Sequence, residues 1–444
     1  MATRSGRILN ILLICGILLR FAVLVAASPF DADSHLEVIQ YIADHGTIPF
    51  SNQFAQSFHP PLYYLLMAPL NRWWPDPAAV HVASFLFSIA NIILIRYALG
   101  RFPDFGTASV QAVGFALICF APQVVMFGSF ISNDTLAMLM GTSVFVAALR
   151  YIERPSWRTR WLLAVWIGLG LLTKGTFILV GPAMAFLVTR IEKQQRRERT
   201  NAVVAMFCLI WISIGCYKYV DNLVRVGDPF VNNLDVDSRF KREQSGTWKG
   251  LQTLYDVNVV KLIRRPVLQN QDVFSYPLLM YGTFWYSHIP NESSFHGNIR
   301  GYQWVGSLIY AVAIVPTALF LIGLVFALVS AIEIFCGSAP PVQASHSLAL
   351  CAALAIVLAN VTVVIAAGVR YDVWSCFQSR LCFPSLAPAL LVFCLGMEKL
   401  ARFNRLGRIA HACCWATVAV ALLYFCIEIP LANGWLSAPP VVSQ

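Results

Sequence analysis

This chain is poor in charge. Only 12% of its 444 residues are Asp, Glu, Lys or Arg, while 58% are hydrophobic. A soluble domain carries about a quarter charged residues, so a soluble globular protein is excluded. No CxxC pair and no His/Cys metal spacing occurs among its twelve cysteines, and a redox dithiol or structural zinc site is not expected. Cys15, Cys119, Cys208, Cys351, Cys394, Cys413, Cys414 and Cys426 all lie inside apolar runs, where a thiol behaves as a small hydrophobe. Fixed-period repeats, a P-loop, a GxGxxG and a heptad run are likewise missing, and with them an ATP-driven engine. The net charge of +10 falls in short loops. It therefore reads as a topology signal, and no nucleic-acid partner is expected.

The chain does have apolar blocks of about twenty residues, the length that spans a bilayer. The runs lie near 8–29, 79–99, 107–128, 133–151, 160–172, 175–190, 201–220, 302–330, 346–369, 381–398 and 409–430, about eleven spans in all. The expected fold is an all-α polytopic membrane protein with one transmembrane domain over 1–444. Val25-Ala26-Ala27 would serve as a signal cleavage site, but the first run exceeds the usual signal core and reads as a retained anchor.

Positive charge sets the expected orientation. The N-terminus and the loops holding Arg96/Arg101, Arg150–Arg160, Arg190–Arg199 and Lys399–Arg408 share one side, which the positive-inside rule makes cytoplasmic. The opposite side receives the first outer loop (30–78), the turns at Ser129–Asn133 and Thr173–Gly175, a long loop over 221–300 between spans 7 and 8, and the 370–380 loop. Within the first outer loop, 34–45 reads as an interfacial helix, with Ser34 and Glu37 as a capping box and Gly46 as its C-terminal cap. Leu62–Trp74 reads as a second interfacial element. The long loop is rich in aromatics and is expected to pack on the membrane face rather than to be disordered.

The polar groups on that outer side are Asp31, Asp33, His35, His59, Asp134, Lys174, Arg370, Asp372 and Arg380. Charge beside a bilayer is expensive and marks a pathway or a reaction site. Carboxylates and cations gathered at an interface suit one chemistry: a carboxylate takes a proton from an acceptor while cations neutralise a phosphate leaving group, with or without a divalent metal such as Mg or Mn. A lipid-phosphate donor carries its phosphate at that depth.

Several short elements also resemble the GT-C superfamily of membrane glycosyltransferases, which includes aminoarabinose transferases and protein O-mannosyltransferases. They are Asp31 after the first span, Tyr41 through Gly46 to Pro49, His59-Pro60-Pro61-Leu62-Tyr63-Tyr64, Ser132-Asn133-Asp134, Leu172-Thr173-Lys174, Asp221-Asn222-Leu223 with Gly227-Asp228-Pro229, and Gln378-Ser379-Arg380 with Phe383-Pro384. Their order covers about residues 8–398. Departures are Ala32 where many relatives carry Glu, Ser379 for Gly, Leu381 and Cys382 for Tyr and Leu, and Asp221 for Arg. The resemblance implies a polyprenyl-phosphate sugar donor and inverting transfer to an acceptor hydroxyl on a glycan, lipid or protein at the non-cytoplasmic face; the unadorned loops and lack of retention signals point to a bacterial inner membrane. The resemblance also implies Asp31 and Asp33 as the catalytic carboxylates, Lys174, Arg380, His59 and Arg370 as donor-phosphate contacts, His35, Tyr63 and Gln378 as substrate contacts, and Asp134 as a metal ligand.

Structural roles compete at most of these positions. Asp33 and Ser34 could cap the interfacial helix, Asn133 and Asp134 could cap the fourth span, and His59 could simply end an extended loop before its prolines. Lys174 could snorkel, and Arg370 could pair with Asp372. A transporter or flippase of a lipid-linked substrate, or a non-catalytic membrane subunit, is the alternative function. A transporter needs polar groups near the bilayer midplane, and the runs hold little of that kind beyond Arg20.

Overall fold

The structure, a computed structural model, describes residues 4–26, 32–102, 105–194, 199–235, 245–268, 274–286, 302–336 and 344–436. It is helical throughout; the only extended pairings among the described residues are isolated bridges, one joining Ser245 to Val373. The first half holds α1 (Arg4–Ala26), α2 (Ala32–His45), α3 (Leu62–Trp73), α4 (Pro77–Arg101), α5 (Ala108–Phe120), α6 (Pro122–Phe127), α7 (Asn133–Glu153), α8 (Trp157–Thr173), α9 (Val180–Gln194), α10 (Thr200–Gly215) and α11 (Tyr217–Val226). The second half holds α12 (Gln252–Tyr255), α13 (Val259–Arg264), α14 (Tyr276–Trp285), α15 (Gln303–Phe335), α16 (Ala344–Tyr371), α17 (Leu386–Ala401) and α18 (Asn404–Ala432). A 3-10 segment, Ser379–Ser385, leads into α17.

All eleven expected runs are helical, but not all are unbroken spans. Among the described residues eight helices are long and apolar enough to cross a membrane, or nine if α10 and α11, bent by 66°, count as one. The run expected over 107–128 breaks between α5 and α6. Pro122 has no N–H to give to the Ile118 carbonyl, and the helix breaks before it. Arg20, fully buried on α1, supplies the missing donors: its guanidinium bonds the carbonyls of Ile118 at 3.5 Å and Cys119 at 2.9 Å, and Ser88 Oγ at 3.1 Å. A cation inside the membrane is thereby held by backbone carbonyls and one hydroxyl.

The central helix is α7, buried along most of its length. It packs against α4, α8, α16, α17 and the Ser379–Ser385 segment. α1 lies at the periphery, where Ile11, Ile14, Leu18, Phe21 and Val25 point outward, the composition a lipid-facing surface requires.

The interfacial helices form much as expected. α2 ends where Gly46 adopts φ +67° and its N–H returns to the Ile42 carbonyl at 2.9 Å, a left-handed cap that favours glycine. Its start differs: the helix begins at Ala32, so Ser34 lies inside the first turn and is not its N-cap. The polar face of α11 fastens the first outer loop, with Lys218 Nζ donating to the Pro49 carbonyl at 3.1 Å and Asn222 bonded to Ser51 and to Pro229. Of the long loop's aromatics, Tyr276, Trp285 and Tyr286 are buried in one apolar cluster with Trp374 and Phe377, while Tyr255 is exposed.

Candidate functional site

Three separate segments meet at one end of α7. Ser132 caps the helix, its side chain accepting from the Asp134 N–H at 3.2 Å. The expected cap role of Asn133 and Asp134 therefore falls to Ser132, and the Asp134 carboxylate is released for other partners. One is Lys174, which follows α8 and is bonded directly to Asp134. The other is Arg380, whose guanidinium approaches the second carboxylate oxygen at 3.7 Å. Ser132 Oγ donates to the same oxygen at 3.1 Å.

A glycine makes this meeting possible. A Cβ on Gly141 of α7 would stand 1.9 Å from the Pro384 carbonyl oxygen, so only a bare Cα lets the Ser379–Ser385 segment lie against α7. Thr283 of α14 accepts from the Ser379 N–H at 2.9 Å and fixes the start of the segment. Phe127 of α6 lies beneath Arg380, with the guanidinium carbon 5.1 Å from the ring centroid, a cation–π contact.

The charge does not balance. Asp134 and Lys174 are almost fully buried and Arg380 is largely so, and two cations share one carboxylate. Buried charge left uncompensated is costly, and among the described residues the trio carries an excess of one positive charge. Several polar atoms nearby also have no hydrogen-bond partner: Asn133 Nδ2, Arg380 Nε, Ser379 Oγ and both amide atoms of Gln378. Each such atom costs about 1–3 kcal/mol when left unpaired. Their concentration beside an excess cation is what a site for an anionic, oxygen-rich ligand looks like.

An apolar cavity of about 560 Å³ opens beside these residues. Ser379 and Cys382 stand on its wall, which continues along α5, α14, α15 and α17 through Leu117, Phe284, Leu321 and Leu390. That volume is typical of a ligand pocket, and the lining suits hydrocarbon.

His59 lies within reach of the charges of Lys174, Asp134 and Arg380. Its ring stacks nearly parallel to His35, centroids 6.3 Å apart. Burial, and then the charge of Lys174, holds its imidazole well below the usual histidine range, so His59 stands neutral beside the site. His35 is bonded through Nδ1 to the Tyr64 hydroxyl at 3.0 Å.

Tyr63 is buried beside Asp134, its hydroxyl bonded to Ser84 Oγ at 2.7 Å, which ties α3 to α4, and to the backbone of Ser132. Other expected residues are placed differently. Arg370 does not pair with Asp372. It bonds Asp228 at 2.8 Å and approaches Asp235 at 3.7 Å, half-exposed. Asp372 instead accepts from the N–H groups of Gly246 and Trp248. The structure thus does not bring Arg370 to Asp134. Asp31 lies outside the described residues; Asp33 is within α2, and its side chain is not described. Among the described residues no group of three His, Cys, Asp or Glu side chains could hold a metal, and both Asp134 oxygens are engaged by cations and Ser132. Sequence reasoning missed Ser132 as the cap and Phe127 as the floor beneath Arg380; the serine before Asn133 was a readable signal, the phenylalanine was not.

Comparison with known proteins follows this geometry. Residues 58–216 match the dolichyl-phosphate-mannose-protein mannosyltransferase family. No curated protein matches the chain. Among solved structures, the oligosaccharyltransferase AglB of Archaeoglobus fulgidus, in complex with an inhibitory peptide and a dolichol-phosphate, is 11% identical with a TM-score of 0.50, covering 98% of this chain and 56% of its own. ArnT of Cupriavidus metallidurans bound to undecaprenyl phosphate is 14% identical with a TM-score of 0.40, over 90% of this chain and 79% of that one. The chain spans little more than half the length of the archaeal protein, and that likeness is one of fold. The resemblance read from the sequence is met by the family match over residues 58–216 and, for the archaeal protein, by a likeness of fold.

Proposed function

We propose that the chain is a glycosyltransferase that moves a hexosyl or pentosyl group from a polyprenyl-phosphate sugar to an acceptor hydroxyl. The site faces the non-cytoplasmic side, the periplasm of a bacterial inner membrane. The observation that carries this reading is the pair of buried cations, Lys174 and Arg380, sharing the single carboxylate of Asp134 beside an apolar cavity. The match of residues 58–216 to a lipid-phosphate-sugar family agrees with it.

A polyprenyl-phosphate sugar carries one negative charge on its phosphodiester, which complements the excess positive charge of the trio. Its chain fills the apolar cavity, and its phosphate meets the Nε–H of Arg380, the ammonium of Lys174, and the unpaired groups of Ser379 and Asn133. The acceptor hydroxyl attacks the anomeric carbon in line with the bond to phosphate. Its proton passes to the carboxylate of Asp31, with Asp33 orienting the hydroxyl. As the new C–O bond forms, the C–O bond to phosphate breaks and its electron pair leaves on the phosphate oxygen. The leaving group then gains a second negative charge. Lys174 and Arg380 bind this product-like charge more strongly than the ground state, and such differential binding lowers the barrier. Attack from the opposite face inverts the anomeric centre. Neutral His59 serves as a hydrogen-bonding group at the acceptor side.

The test is transfer by the purified protein from radiolabelled polyprenyl-phosphate sugars to native lipid extract. Wild type should form labelled product and release polyprenyl phosphate. Asp31→Asn and Arg380→Gln should not, while keeping their melting temperatures within a few degrees. No transfer from any donor by folded wild type would overturn the proposal.

A further inference from the structure

The segment Lys249–Arg265 is unlike a surface loop. Leu251, Tyr255, Val257 and Val260 are 73%, 70%, 60% and 55% exposed, four large apolar side chains within ten residues. Water-facing loops do not concentrate apolar surface in this way. The segment is also firmly seated. Thr253 and Leu262 are buried, and Leu262 joins Leu268, Tyr276 and Leu279 in one apolar cluster. Asn258 caps α13 by accepting from the Lys261 N–H. Its outward apolar face is therefore held in place by an inward one.

Two further observations say what covers that face. Val257 and Val259 line the apolar cavity whose walls include the candidate membrane spans α15, α16 and α17, which sets the segment against membrane helices. Lys249, Lys261, Arg264 and Arg265 are exposed on the same stretch, and the only acid between 245 and 268 is Asp256. Apolar side chains flanked by cations match the boundary of a bilayer with anionic headgroups.

We propose that Lys249–Arg265 is a membrane-seated sill that binds the anionic phospholipids of the leaflet on the site's side. Leu251, Tyr255, Val257 and Val260 enter the acyl boundary. Lys249, Arg264 and Arg265 hold the lipid phosphates above them. The sill fixes the mouth of the cavity, through Val257 and Val259, at the depth of the hydrocarbon. This goes beyond the transfer reaction and needs no sugar donor to test.

The full-length protein carrying Tyr255→p-benzoylphenylalanine is reconstituted in vesicles of phosphatidylcholine and phosphatidylglycerol and irradiated, and lipid adducts at position 255 are quantified by mass spectrometry. The expected result is abundant lipid adduct, with phosphatidylglycerol favoured over its mole fraction by at least about fivefold, the effect of one interfacial cation. The preference should fall towards unity with Lys249→Gln, Arg264→Gln and Arg265→Gln combined, and at high salt. Melting in detergent, which reports folding alone, should be unchanged by the same substitutions. Absence of lipid adduct, or a preference undiminished by removal of the three charges, would overturn the proposal. Either outcome leaves the transfer assay free to succeed or fail independently.

Discussion

Lys174→Met is the most informative single substitution at this site. Asp134 is nearly fully buried and engages Lys174 directly, with Arg380 at 3.7 Å and Ser132 Oγ at 3.1 Å. Removing one member of a buried ion pair costs about 3–5 kcal/mol when the survivor is left alone. Here Asp134 keeps Arg380 and Ser132, so the loss of stability should sit at or below the low end of that range. The effect on ligand should be larger in proportion. The trio's excess charge falls from one to none, and a charge-assisted hydrogen bond to phosphate, worth about 1.5–3 kcal/mol, disappears. That is roughly a 10- to 150-fold loss of affinity for undecaprenyl phosphate. The assay is equilibrium binding of radiolabelled undecaprenyl phosphate to the purified protein in detergent, with undecaprenol as the uncharged control. Asp134→Asn gives the opposite sign: it raises the excess charge to two, lowers stability without ligand, and enlarges the melting shift that undecaprenyl phosphate produces. Unchanged phosphate affinity in a folded Lys174→Met protein would refute the assignment, as would equal losses for phosphate and alcohol.

Further outcomes follow from other contacts. His59 is held neutral in the folded protein by burial and by Lys174, whereas in the unfolded chain it takes up a proton near pH 6.5. Stability contributed by the neutral ring is therefore present above that pH and is lost as the pH falls towards the lowered folded value; His59→Asn should flatten the acid side of a melting-temperature-against-pH profile. Gly141→Ala places a Cβ 1.9 Å from the Pro384 carbonyl oxygen. It should cost about 1–3 kcal/mol and, by pushing Arg380 away, weaken undecaprenyl phosphate binding more than a stability-matched substitution elsewhere. Arg20→Met orphans the carbonyls of Ile118 and Cys119. Pro122→Ala returns an N–H to Ile118, so the double variant should melt higher than Arg20→Met alone, and additive losses would contradict the role given to Arg20.

Much of the fold was legible in the chain because bilayer thickness imposes a length on every span. Helices stand at all eleven apolar runs, and the interfacial helix ending at Gly46 is where its cap residue placed it. The break at Pro122 was visible as a residue but not as an event: a run of apolar residues looks continuous until the missing N–H is matched with a donor, and that donor, Arg20, lies on another helix. The site was legible as a set of polar positions at the ends of apolar runs, but not as pairs. Asp134 and Lys174 are forty residues apart and meet across α7 and α8. Local reasoning joined Arg370 to Asp372, two residues away. The structure gives Arg370 to Asp228, because Asp372, at φ +52°, turns to the backbone of residues 246–248. Sequence proximity predicts partners within a helix; across a bundle, packing decides.

The central claim is that a lipid phosphate lies between Lys174 and Arg380 with its hydrocarbon chain in the apolar cavity. A photoreactive polyprenyl phosphate, bearing its diazirine on the isoprene units nearest the phosphate, tests this directly when its adducts are mapped by mass spectrometry. The account predicts adducts on cavity residues such as Phe284, Leu321 and Leu390, which line that space, competed by unlabelled undecaprenyl phosphate and lost with Arg380→Gln. Adducts confined to outward-facing residues such as Leu18 or Val325, unaffected by competitor, would contradict it.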